Sequence, residues 1–323
     1  MLVSFVKFRT IPRFLNINKI IVRKYNVPRR ALMYVPGDDP KKISKSLTLD
    51  VDCIALDCED GVAVNKKREA RETIRSFLDK GKPSKDRDYD FGVRINAFDT
   101  EYWQEDLESC LTAINLPDTI LIPKVETADT IKQFSEEVKQ RIKSDKKINV
   151  IIYIESARAF LNIVDICKTA EGLSKTSNIQ PVSLVFGSDD FCANIGATRT
   201  ESSIEILYAR QKLVLVAKAF NLQAIDMVYI KYKDLEGLKK QCEEGMKMGY
   251  TGKQVIHPGQ VPIVQEAFLP SASQIEWASG LLQSFEKHQK DGKGAFTYKG
   301  SMIDMPTMRQ AENVIKLANL KKT

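Results

Sequence analysis

Beyond residue 30 the chain alternates between short runs dominated by Val, Ile and Leu and longer segments with apolar residues at helical spacing. The runs are ALMYVP (31–36), VDCIALDCED (51–60), FGVRIN (91–96), TILIPKVE (119–126), INVIIYIES (148–156), SLVFGSDD (183–190), QAIDMVYI (223–230) and GKQVIHP (252–258). Near-continuous apolar strands suit a parallel sheet whose outer face is covered by helices. Between them, 65–80, 127–143, 156–169 and 202–220 read as helices. Asp, Ser or Thr precedes several of these, with acids early and lysines late. Eight β-then-α units predict an α/β fold, a closed (β/α)8 TIM barrel over residues 26–270, in preference to an open doubly wound sheet. No G-x-G-x-x-G or G-x-x-x-x-G-K-[ST] is present, which removes the main support for nucleotide-binding alternatives.

After residue 270 the pattern changes. A helix-like stretch (274–288) leads into a Gly-rich segment with Phe296, Tyr298, Met302 and Met305, and a closing helix follows over 307–320. Residues 271–323 therefore form a C-terminal helical extension outside a complete barrel. Its apolar residues must be buried somewhere, either over the barrel mouth or against a neighbouring subunit.

Charge narrows the classes. The net charge of +7 is carried by residues 1–30, which hold eight basic residues and no acid. Without those eight, 41 basic residues face 42 acidic ones, so the body is nearly neutral and nucleic acid is not an expected partner. An Arg-containing, acid-free start interleaved with Phe, Leu and Ile reads as a mitochondrial presequence over 1–25, with the matrix as destination. No apolar run reaches membrane-spanning length, so no membrane partner is expected. The six cysteines are scattered without a C-x-x-C pair, which fits a reducing compartment and argues against structural zinc.

Active sites of such barrels form at the C-terminal ends of the strands. Those ends offer Asp57, Glu59, Asp60, Arg94, Lys124, Glu126, Glu155, Asp189, Asp190 and His257. Glu155 and Asp190 end successive strands and become neighbours in space, where two carboxylates repel unless a cation or proton intervenes. Oxygen ligands with open positions favour Mg²⁺; the alternative is a pair of solvated or helix-capping acids. Arg94 is either a bidentate clamp for a carboxylate or enolate oxygen, or a structural partner of Asp57 or Glu59. Lys124 could form a Schiff base if desolvated, although pairing with Glu126 or Glu155 is the simpler expectation. Lys41, Lys42 and Lys45, after Tyr34, Pro36 and Gly37, either grip the phosphates of a ligand such as coenzyme A or form a plain solvated face.

The ordered motifs MYVPGDDPKKISK, LDCEDGV, GVRIN, LIPKVE, YIESARAF, VFGSDDF, GKQVIHP and GAFTYKGSMIDMP closely resemble the family of citrate lyase beta subunits and malyl-CoA lyases, from about Arg29 to the C-terminus. The resemblance implies a TIM barrel, usually a homotrimer, with Mg²⁺ on Glu155 and on Asp190 in preference to Asp189. It implies substrate and coenzyme A contacts at Tyr34, Lys41, Lys45, Arg94, Ile256 and His257. Asp304, in SMIDMP, becomes the catalytic acid, offered by a neighbouring subunit, and Arg94 stabilises the enolate. The implied reaction is Mg²⁺-dependent cleavage of (3S)-citramalyl-CoA to acetyl-CoA and pyruvate. Malate synthase or malyl-CoA thioesterase chemistry at the same site, or a non-catalytic scaffold that binds coenzyme A ligands, are the competing readings.

Overall fold

In the computed structural model, which describes residues 28–83, 88–290 and 296–319, eight parallel strands close into a barrel in sequence order. They are β1 (Ala31–Pro36), β2 (Cys53–Asp57), β3 (Asp90–Arg94), β4 (Thr119–Ile122), β5 (Ile148–Ile154), β6 (Ile179–Phe186), β7 (Gln223–Asp226) and β8 (Gly252–Val255). The helices around them are α1 (Pro40–Thr48), α2 (Lys67–Lys80), α3 (Trp103–Leu111), α4 (Ala128–Arg141), α5 (Ala157–Leu173), α6 (Ser188–Ile195), α7 (Leu207–Ala219), α8 (Leu235–Met248) and α9 (Val261–Ala267). Six of the eight predicted runs contain their strands whole; β3 begins one residue before its run, at Asp90, and β6 four residues before its run, in a segment interrupted by Pro181. The presequence expected over 1–25 lies outside the described residues.

Alternation along the strands divides the core in two. Leu32, Cys53, Ala55, Leu121, Ile151, Tyr153, Val185 and Ile225 fill the barrel, while a larger apolar cluster lies between strands and helices. At the N-terminal ends of the strands, Arg29 pairs with Asp90 at 2.5 Å and Arg30 with Asp52 at 2.8 Å. Thr119 donates to the same Asp90 at 2.6 Å, so β1 to β4 are tied together at the closed end. Charge at this end holds the barrel; charge at the other end is left for chemistry.

The chain then continues through α10 (Ala272–Lys290), a hairpin of β9 (Phe296–Tyr298) and β10 (Ser301–Ile303), and α11 (Met305–Asn319). This extension has a small core of its own, in which Ala278, Leu281, Ile303, Met308 and Ala311 pack with Trp277 and Tyr298 around them. Met302 and Met305, on either side of Asp304, remain 81% and 51% exposed. All six cysteines are buried and unbridged. Among the described residues no helix is long and apolar enough to cross a membrane.

Candidate active site

The rim begins at the end of β2. Asp57 accepts the backbone N–H groups of Glu59 and Gly61, both at 2.9 Å, which folds the Cys58–Gly61 turn back over the strand. Parallel register sets Arg94, the last residue of β3, beside Asp57. Its Nε and Nη2 donate to the two Asp57 oxygens at 2.8 and 2.6 Å, and Nη1 reaches Glu59 at 2.8 Å. Both structural partners expected for Arg94 are therefore present. Burial raises the Asp57 carboxyl, but the Arg94 guanidinium outweighs it and holds the group below the usual range. Two of the five guanidinium N–H groups are thus hydrogen-bonded to Asp57, and Nη1 is ion-paired with Glu59.

Lys124, just past β4, does not pair through its side chain with Glu126 or Glu155. Its ammonium bonds Glu59 at 2.7 Å and Asp60 at 3.3 Å. Glu126 instead accepts from the Ser156 hydroxyl at 2.7 Å. Burial lowers the Lys124 pKa, but the bond to Glu59 and the charges of Glu59, Asp60 and Asp190 overcome it and leave the ammonium above its ordinary value. A Schiff base needs the neutral amine, so this environment opposes imine chemistry. The backbone of Lys124 turns left-handed, with φ 51°, and its N–H donates to Glu155 Oε2 at 2.8 Å.

Glu155 follows β5 and is 6% exposed. Its side chain lies so close to Gly187 that a Cβ there would sit 2.3 Å from Cγ and Oε1. Burial, then the charges of Glu59 and Asp190, push the Glu155 carboxyl up to about 8. Asp190 sits in the first turn of α6, half-buried, and burial raises it as well. Asp189 turns away into an ion pair with Arg199. Neither Glu155 nor Asp190 has a cationic hydrogen-bond or ion-pair partner among the described residues. At this rim five carboxylates (Asp57, Glu59, Asp60, Glu155, Asp190) face two cations, Arg94 and Lys124.

That excess of negative charge gathers at the two acids that lack an ion-pair partner, an arrangement that suits a divalent cation. The donors are carboxylate oxygens, and no group of three or more His, Cys, Asp or Glu able to hold a metal exists among the described residues. Two protein oxygens with the remaining positions open fit Mg²⁺, which keeps waters and substrate oxygens in its shell. Glu155, Asp190 and Lys124 line one side of a cavity of about 430 Å³ that continues past Glu126, Thr130 and Arg158 to Phe98.

Other expected contacts lie around the same mouth. Asp39 caps α1 by accepting the N–H groups of Lys41 and Lys42, and Lys41 and Lys45 stand exposed on that helix. Lys42 pairs with Asp39 at 3.2 Å. α1 follows β1, and Ile256 and His257 follow β8, the strand that pairs with β1. The His257 ring meets that of Tyr232 at a tilt of 32° with centroids 4.9 Å apart, and Ile256 is 42% exposed. Asp304 is not joined to this rim: it is exposed, and its carboxylate accepts from the N–H and hydroxyl of Thr307 at 3.0 and 2.8 Å.

A model of the HpcH/HpaI aldolase/citrate lyase family matches residues 30–258. The chain belongs to that family. Human mitochondrial citramalyl-CoA lyase is 46% identical over 300 residues, which cover 90% of this chain and 86% of that protein. A (3S)-malyl-CoA thioesterase of Cereibacter sphaeroides is 30% identical over 86% of this chain and 90% of its own length. Among solved structures, protein CitE of Mycobacterium tuberculosis in complex with magnesium, acetoacetate and coenzyme A is 27% identical. It covers 91% of this chain and 99% of its own, with a TM-score of 0.72. The family match spans the whole barrel and stops before the extension that carries Asp304.

Within that family barrel, Gly187, Tyr153 and Gln254 were not among the residues that strand ends alone single out. Gly187 makes room for the Glu155 side chain. The Tyr34 hydroxyl, expected to face substrate, is 2.6 Å from that of Tyr153 and donates to Gln254 Oε1 at 2.8 Å, while its ring lies 4.6 Å below the Arg94 guanidinium. The available signal was a polar residue at an inward strand position: Tyr153 in INVIIYIES and Gln254 in GKQVIHP.

Proposed function

We propose that this chain cleaves the carbon–carbon bond of (3S)-citramalyl-CoA, releasing acetyl-CoA and pyruvate, with Mg²⁺ between Glu155 and Asp190. The reading rests on one observation above all. Two buried or half-buried carboxylates without an ion-pair partner among the described residues share the rim with an arginine that is hydrogen-bonded to Asp57 and ion-paired with Glu59. The likeness to citramalyl-CoA lyase and the magnesium and coenzyme A of the CitE complex support it.

When bound, Mg²⁺ supplies Lewis-acid polarisation of the substrate's hydroxyl and carboxylate oxygens. The chain's own residues do the rest. Arg94 directs N–H groups not bonded to Asp57 at the thioester oxygen, where charge grows as the C–C electrons pass into an enolate. Cleavage breaks the C–C bond and the hydroxyl O–H bond and leaves the ketone of pyruvate, so the proton released from that hydroxyl balances the one that Asp304 delivers to the enolate carbon. In a single chain Asp304 is exposed, and its bonds to Thr307 hold it below the usual carboxylate range. Proton delivery therefore calls for burial against another copy, which also covers Met302 and Met305. The number of copies comes from the family resemblance: we assign a homotrimer, with residues 271–323 of one copy closing the mouth of the next. Lys41, Lys45, Ile256 and His257 line the coenzyme A side. The basic, acid-free segment 1–25 and the mitochondrial names of close relatives support the matrix as location.

A thioesterase reading draws on the (3S)-malyl-CoA thioesterase relative. Product analysis separates the two. Equimolar pyruvate and acetyl-CoA from citramalyl-CoA supports the lyase. Free CoA from malyl-CoA, with citramalyl-CoA left intact, overturns it.

A further inference from the structure

We infer that Gln254, Tyr34 and Tyr153 are positioning residues that fix the plane of Arg94 from inside the barrel. Gln254 lies on β8 and is 7% exposed. Its Nε2 donates to the carbonyls of Phe186 at 2.9 Å and Asp226 at 3.1 Å, the last residues of β6 and β7. Those two bonds decide the orientation of the amide, so its oxygen faces Tyr34 and accepts the phenol proton at 2.8 Å. A hydroxyl has one proton. With that of Tyr34 committed to Gln254, the 2.6 Å contact between the two phenols has a single polarity: Tyr153 donates to Tyr34.

The result is a directed chain from Tyr153 through Tyr34 and Gln254 to the ends of β6 and β7. It holds the Tyr34 ring flat beneath Arg94, with Cζ 4.6 Å from the ring centroid. Asp57 and Glu59 fix two edges of the guanidinium, and the ring fixes its face. Gly187 follows Phe186 and leads into α6, whose first turn holds Asp190, so the same chain ties the arginine to the strand that leads to one proposed metal ligand. Tyr34 thus acts through Arg94, with its hydroxyl turned into the barrel.

This inference rests on the reading that Arg94 stabilises the enolate. The experiment measures citramalyl-CoA cleavage by Gln254→Leu, Tyr34→Phe, Tyr34→Leu and Arg94→Lys, and by the Gln254→Leu/Arg94→Lys double variant. Gln254→Leu and Tyr34→Leu are expected to lower kcat about tenfold or more with KM changed less than about twofold. Tyr34→Phe, which keeps the ring, loses less. In the double-variant cycle, Gln254→Leu adds little once Arg94 is altered. Additive losses, or a KM increase at constant kcat in Tyr34→Phe, overturn the inference. Should Gln254→Leu fail to fold, Tyr153→Phe removes only the outermost bond, and an unchanged kcat there has the same force. The crystal structure of the folded Gln254→Leu or Tyr153→Phe protein is a readout independent of turnover. A rotated Arg94 guanidinium supports the relay, and an unmoved one overturns it. Lack of cleavage by the wild type bears instead on the proposed function.

Discussion

The N–H of Lys124 donates to Oε2 of Glu155 at 2.8 Å, and it can do so because Lys124 holds a left-handed backbone with φ 51°. A side chain in that region is disfavoured, and the cost is borne at the residue that orients a proposed metal ligand. Lys124→Gly and Lys124→Ala both remove the ammonium from Glu59 and Asp60. They differ only in backbone preference. The Gly variant is expected to be the more stable of the two by about 1 kcal/mol in denaturant unfolding. Equal stabilities would show that the turn is not strained.

Gly187 offers a probe that changes no charge. The Cβ of Gly187→Ala would meet Glu155 Cγ and Oε1 at 2.3 Å and force the carboxylate aside. Turnover should fall about a hundredfold, as for a displacement of roughly an ångström at a reacting centre. Mg²⁺ affinity should weaken in the same variant, with far-UV circular dichroism unchanged. Wild-type Mg²⁺ affinity in this variant would place the metal elsewhere.

The Glu155 carboxyl, raised to about 8 by burial first and then by Glu59 and Asp190, has a signed consequence. Between its ordinary value of 4.5 and about 8, the folded metal-free protein binds more protons than the unfolded chain. This group therefore makes stability fall as pH rises through that window. A cation on Glu155 must displace the proton. At about pH 7, Mg²⁺ binding should release close to one proton, and at about pH 9 almost none. Calorimetry in buffers of different ionisation enthalpy reads this directly, and pH-independent proton release would contradict it.

Asp304 makes the oligomer testable without a structure. Asp304→Asn alone should lose turnover and keep Mg²⁺ binding, whereas Asp190→Asn should lose both. Mixed after gentle dissociation, the two inactive variants should recover about a quarter of wild-type activity if each site joins one copy's barrel to another's Asp304. Mixing without recovery would confine Asp304 to its own chain.

The barrel was legible because helices on its outside require strands that are apolar on both faces, and ALMYVP and TILIPKVE carry that pattern openly. The rim was legible because polar residues at the ends of such strands have few other reasons to be there. Lys124 was misplaced because its partners come from the β2 loop, 64 and 65 positions away, and its own turn hides its direction. The Gln254–Tyr34–Tyr153 relay depends on which inward residues of β8, β1 and β5 share a level of the barrel, which no local spacing encodes. The hairpin β9–β10 lay inside a segment read only as extended and partly apolar. Its burial against α10 and α11, in a core separate from the barrel, became visible only in three dimensions.

The most direct measurement follows pyruvate release from citramalyl-CoA across a Mg²⁺ titration for the wild type, Glu155→Gln and Asp190→Asn. A metal held by these two acids requires Mg²⁺-dependent release by the wild type, loss of activity with EDTA, and rates down by at least about a hundredfold in both variants at saturating Mg²⁺. A wild-type rate in either variant, or release that persists in EDTA, would contradict it.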